Sequence, residues 1–299
     1  MGSEEEFEAA LSDGAASITL TSDLAFDKQL EIDHEVSLNL NGHNIVSTLA
    51  GKASVFILVD NGNLTLSGDG SITAAGILAK AQNGGEIHIN GGQYVSDINY
   101  VFLADGANAT VEMNEGDVQG REGAIVAHHG GSIVVNGGML TGIDNFAVCT
   151  NGKPENGGET IVINDGTLIG NIETAGYEAC GVYMANSGTL IMNGGHIIAN
   201  GGAGLVMRAG NVFINGGSIE ATGDAGSTGQ VADDPRPMSV SGIIYDADAN
   251  YPGKAAGMSL TITDGEIVGV DHSLEFLCSE GTPNVTVEGG GFTPAYPEE

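Results

Sequence analysis

GNVFINGGSIEA, residues 210–221, carries the two features that decide the fold: apolar Val212 and Ile214 in alternation, then an Asn-Gly-Gly turn at Asn215. Alternation at period two describes a strand with one buried face. The pattern returns along most of the chain. SLNLNGHNIVS (37–47), NLTLSGDGSITA (63–74), EIHINGGQYVS (86–96), TVEMNEGDVQG (110–120) and SIVVNGGMLTG (132–142) precede it, with TIVINDGTLIG (160–170) and TLIMNGGHIIA (189–199). SLTITDGEIVG (259–269) and NVTVEGGGFTP (284–294) follow. With this copy counted from Asn211, successive starts lie 26, 23, 24, 22, 28, 29, 22, 48 and 25 residues apart. A strand-built period near two dozen residues indicates a solenoid.

Beyond each turn a further apolar residue points back inward, as at Ile45, Tyr94, Val118, Leu140, Leu168, Ile197, Ile219, Ile267 and Phe292. A third apolar segment completes each period, as in VFILV (55–59), VFLA (101–104), AIVAH (124–128) and GLVM (204–207). GIIYD (242–246) supplies that segment within the 48-residue interval, which is close to two ordinary spacings. Three short strands per coil predict an all-β chain: a single-stranded, right-handed parallel β-helix of about ten or eleven coils, roughly 50 Å long. A leucine-rich repeat would need a helical segment and an L-x-x-L-x-L-x-x-N pattern, and neither occurs.

Asn41, Asn90, Asn114, Asn136, Asn164, Asn193 and Asn215 are read into one slot of successive coils. Asn tolerates left-handed backbone, and stacked amides can link coil to coil, so these residues are expected to form a structural ladder. Residues 1–16 read as a capping or docking segment. Ser3 and Glu6 suit a capping box, Phe7 and Leu11 share a helical face, and Gly14 ends it. Residues 17–299 read as the β-helix, with a polar surface insertion at 222–241.

Composition limits the function classes. There are 49 Gly, no Trp, and 39 acidic residues against 8 Lys and Arg, a formal net charge of −31. So acidic a chain repels nucleic-acid phosphates and anionic lipid, so neither nucleic acid nor membrane insertion is expected. No apolar run is long enough to span a membrane, and no secretory signal is visible. Cys149, Cys180 and Cys278 lack metal or redox spacing and read as buried small hydrophobes.

Chemistry is hard to find. Lyases of acidic polysaccharides need cations near the reacting carbon, yet Arg121, Arg208 and Arg236 have no basic neighbours. Glycosidases need two carboxyls facing one cleft, and the turn acids Asp69, Glu115, Asp165 and Asp264 fall on non-adjacent coils. Asp233-Asp234 and His129-Gly130 match only fragments of pectin-hydrolase motifs. Strand alternation would point the rings of His128 and His129 to opposite sides, so no metal site and no cofactor are expected.

The outward third position of each copy reads Asn39, Thr65, His88, Glu112, Val134, Val162, Ile191, Phe213, Thr261 and Thr286. Its middle, Val134, Val162, Ile191 and Phe213, is apolar and consecutive. Such a patch marks a contact surface unless the 222–241 insertion covers it, and self-association about a symmetry axis is the economical contact.

The opening FEAALSDGAASITLTSDLAFDKQLEIDHEVSLNLNGHNIVS followed by INGG-type coils resembles the β-helical proteins of bacteriophage virions and of bacterial cell surfaces. The resemblance covers nearly the whole chain and specifies a fold rather than an activity. It implies a non-enzymatic virion surface protein of the capsid-decoration, head-fibre or tail-spike type. Its partners would be further copies in a homotrimer, other virion proteins such as capsid, and host surface glycans. The starting Met and the lack of a leader or anchor favour this over the alternative, a glycan-binding adhesin module on a bacterial surface. A polysaccharide-degrading β-helix enzyme ranks third.

Overall fold

A computed structural model describes residues 1–153, 157–171, 180–224, 229–230, 237–247, 257–278 and 282–296. They form a right-handed parallel β-helix. Every strand of the first sheet face pairs in parallel with its counterpart one coil away, and the second and third faces do the same. The first strands define the coils: Ser17–Thr19 (coil 1), Glu35–Asn39 (2), Asn63–Ser67 (3), Glu86–Ser96 (4) and Thr110–Gly120 (5). Ser132–Val135 (6), Thr160–Ile163 (7), Thr189–Met192 (8), Gly210–Ile214 (9), Met258–Ile262 (10) and Val285–Val287 (11) continue them. In coils 4 and 5 the first strand runs on through the turn into the second. Coils 1 to 10 each add a third strand, giving a 10-stranded third sheet, and coil 11 ends after its second strand, Gly291–Thr293.

Two boundaries differ from the repeat pattern. Gly210–Ile214 pairs directly with Met258–Ile262, so the 48-residue interval is one coil enlarged at two corners rather than two coils. The coil count is restored at the other end, where Ser17–Thr19, Leu24–Phe26 and Leu30–Ile32 make a coil without an Asn-Gly-Gly turn.

The core is built of single-residue columns. Ile87, Val111, Ile133, Ile161, Leu190, Val212 and Leu260 stack in register on the first face, each at 0–1% exposure. Each such side chain contributes about 1.5–3 kcal/mol of burial. Stability is therefore spread along the rod and passed between neighbouring coils. The second strand ends in a column of small residues: Ser96, Gly120, Gly142, Gly170 and Ala199. The chain bends sharply there. A Cβ on Gly142 would stand 2.2 Å from the Phe146 carbonyl oxygen.

The N-terminal helix, Glu4–Ser12, closes the first coil. Ser3 Oγ accepts the Glu6 N–H at 3.2 Å, while Glu6 Oε2 accepts from Gly2 N at 2.8 Å, one residue earlier than a standard capping box. Phe7, 2% exposed, meets Phe26 edge-on at 5.3 Å and so plugs the apolar end of the core. The unpaired edge is also sealed by the Thr21 N–H, which donates to Met1 O at 2.9 Å. Cys149 and Cys180 are buried as expected. Cys278 is half-exposed, because it lies at the end of the last third strand, His272–Cys278, where no coil follows. No helix among the described residues is long and apolar enough to cross a membrane.

Candidate functional site

Register brings the outward stripe together. Thr65, His88, Glu112, Val134, Val162, Ile191, Phe213, Thr261 and Thr286 are direct partners, coil to coil, on the first sheet face. Val134, Val162 and Ile191 are half-buried by their neighbours, and Phe213 is 36% exposed. Asn39 does not belong to this column. Ser37 pairs with Thr65, and Asn39 pairs with Ser67 in the slot that leads to Asn90. The first copy is therefore displaced by two residues from its sequence alignment.

The apolar surface is wider than the sequence pattern indicates. Across the turn, on the second face, Ile169 and Ile198 pair with each other in the same coils as Val162 and Ile191. Met139, 39% exposed, sits at the start of the second strand in the coil of Val134. The signal was available as apolar residues at outward positions of the second strands. The insertion at 222–241 leaves from the end of the second strand Ser218–Thr222, on a different face from Phe213. Half of it, 225–228 and 231–236, lies outside the described residues, and with it Asp233-Asp234 and Arg236.

Between the two apolar columns runs the amide ladder. Each amide donates its Nδ2 to the Oδ1 one coil earlier: Asn114 to Asn90 (2.9 Å), Asn136 to Asn114 (2.8 Å) and Asn164 to Asn136 (2.8 Å). Asn193 donates to Asn164 (2.9 Å) and Asn215 to Asn193 (3.0 Å), with Thr263 Oγ1 closing the chain on Asn215 at 3.3 Å. Asn41 is outside it. It adopts φ 51° in an enlarged turn and donates to Leu20 O at 3.0 Å. Left-handed backbone is thus not why Asn fills the ladder. Positive φ falls instead on the glycines that follow, Gly138, Gly195 and Gly217 at 80–85°, and the amide is used for its paired donor and acceptor. Asn164→Ala removes two of these bonds and is expected to cost about 1–2 kcal/mol. A lower denaturant midpoint at unchanged slope checks this.

A second polar column occupies the corner after the third strand, and the apolar reading of those segments missed it. Asp60, Gln82, Asp105 and His128 are partners in register. Gln82 Nε2 and Asn83 Nδ2 donate to Asp60 at 3.0 and 2.8 Å. Lys80 pairs with Asp105, whose Oδ1 lies 2.6 Å from His129 Nδ1. Asn151 Nδ2 is 3.3 Å from His128 Nε2. The expectation that the two histidine rings diverge fails here. His129 has φ 53°, as do Asn61 and Asn83 (54° and 55°) in the preceding turns, and this left-handed step breaks strand alternation. Burial lowers the His128 pKa to about 4, so its imidazole is neutral at physiological pH. Burial opposes ionisation of Asp105, yet the hydrogen bonds from Lys80 and His129 outweigh it and hold the carboxyl below its usual range.

Farther along, the same edge holds Arg208, 2% exposed, against Asp246, 0% exposed, with Nε to Oδ2 at 3.2 Å. Arg121 pairs with Asp144 at 2.9 Å and Lys52 with Glu122. These cations are spoken for by acids of the chain itself. Of the turn acids, Asp69 and Glu115 line one shallow groove with the Gly91–Gly92 backbone between them. No aromatic side chain lines that groove. Comparison of the chain with protein-family models, with curated proteins and with solved structures gives no match.

Proposed function

We propose that this chain is a structural, non-enzymatic rod of a bacteriophage virion surface, acting as a capsid decoration, head fibre or tail component and assembling as a homotrimer. The observation that carries the reading is the apolar stripe Val134–Val162–Ile191–Phe213, aligned on four adjacent coils and rimmed by Thr261 and Thr286 on one side and by Glu112 and His88 on the other. An apolar centre with a polar rim is the anatomy of a protein contact. A rotation axis parallel to the rod hides the same stripe on every subunit. The count of three and the virion setting come from the sequence resemblance to phage β-helical proteins. The partners in this reading are further copies of the chain, the capsid or tail proteins that carry it, and glycans of the host surface.

The ion-paired Lys and Arg residues favour a scaffold over lyase chemistry, since each paired cation is tied to a carboxylate of its own rod. Electron microscopy of the purified chain tests the reading. Rods about 50 Å long, joined lengthwise in threes, support it. Isolated single rods overturn it and move the alternative, an adhesin module of a bacterial surface, to the front.

A further inference from the structure

We propose that the corner where coils 4 and 5 leave their third strands is a binding site for a divalent transition-metal ion of the zinc class, held by Asp105, His128 and His129. One ligand atom from each residue, a carboxylate oxygen of Asp105 and a ring nitrogen of each histidine, lies within 4.8 Å of the other two. Two structural causes bring them there. Asp105 and His128 are direct partners across adjacent third strands, and the left-handed backbone of His129 turns its ring onto the same side.

The donor set selects the ion. Imidazole nitrogen suits zinc, copper, nickel and iron, whereas calcium and magnesium require shells of oxygen. Zinc–nitrogen bonds of about 2.0–2.1 Å place tetrahedral ligand atoms about 3.3 Å apart, so the 2.6 Å contact of Asp105 with His129 must open slightly while wider separations close. The side chain of His129 is 48% exposed, so its ring can shift toward solvent for this. Three protein ligands leave a fourth position open to water or to a ligand from a partner.

The surroundings act on the ligands. Lys80 engages Asp105 Oδ2, where its charge competes with a metal ion, and Oδ1 is left facing His129. Asn151 Nδ2 stands 3.3 Å from His128 Nε2, and with the amide turned over its Oδ1 would accept the ring N–H there once the other ring nitrogen holds the metal. Glu159 stands on the next coil at 0% exposure, where burial raises its pKa and the neighbouring His129 favours its charged form. A cation at the corner would favour that charged form further.

The test is equilibrium dialysis of the full chain against Zn²⁺ with elemental analysis, for wild type, His129→Asn and Lys80→Gln. Asn is the residue that coils 2 and 3 place at this left-handed step, at Asn61 and Asn83, so His129→Asn is expected to keep the fold while removing a ligand. Melting in chelator, unchanged from wild type, verifies this. The expected result is one zinc per chain for wild type, with binding weakened about tenfold or more in His129→Asn. Lys80→Gln removes a competing cation and is expected to bind zinc several-fold more tightly. Wild type that takes up no zinc, or His129→Asn that takes up as much as wild type, overturns the proposal.

Discussion

Phe213→Glu is expected to yield a folded chain that sediments as a monomer. The side chain is the most exposed member of the apolar stripe and points away from the core, between Ile191 and Thr261 on the neighbouring coils. Its loss therefore costs the monomer only cross-strand contacts, about 0.2–1 kcal/mol. In an assembly built on this face the effect is far larger. A buried aromatic anchor carries about 2–4 kcal/mol, and the substitution also places like carboxylates near a shared axis without partners, where desolvation and repulsion add to the loss. Sedimentation velocity read beside circular dichroism separates the two effects. A variant that keeps its strand signal and falls to monomer ties the stripe to assembly. A variant that keeps the wild-type mass places the contact elsewhere on the rod.

Asp246→Ala is the most damaging single change expected within one chain, at about 3–5 kcal/mol. The Arg208 guanidinium lies against this carboxylate with both groups 2% exposed or less. Removing the acid leaves a cation that can neither reach water nor shed its proton. Replacing both residues by apolar ones of similar volume should recover much of the loss, because the desolvation of both charges is then removed. Thermal melts of Asp246→Ala and of Arg208→Met/Asp246→Leu check this. Equal destabilisation of the two would show that the pair acts through shape rather than charge.

Much of the architecture was legible from residue 63 onward. There each copy has two inward apolar positions and a glycine-rich turn, and the outward column from Thr65 to Thr286 is found in the alignment that the sequence implies. The copy at 37–47 was misplaced for a physical reason. A slip of one residue would expose Leu38 and Leu40, but a slip of two keeps both buried and puts Ser37 rather than Asn39 in the outward column and Asn39 rather than Asn41 in the slot beside Ser67. Coil 1 was hidden because its turn, TSD, lacks the Asn-Gly-Gly chemistry. The corner after the third strand was illegible for a different reason. Its residues, Asp60, Gln82, Asp105 and His128, differ in kind from coil to coil, and only parallel pairing shows that they form one column. The backbone reversal at His129 leaves no mark in an alternation pattern. Arg208 and Asp246 are separated in sequence by the enlarged coil 9, so no local motif joins them.

The claim on which the account rests is that the first sheet face joins copies of this chain, and the native mass of the wild-type protein tests it most directly. Sedimentation equilibrium is predicted to give three times the 30.2 kDa chain mass. A single chain at all concentrations would contradict the account, leaving the rod to act alone and the stripe to meet a different partner.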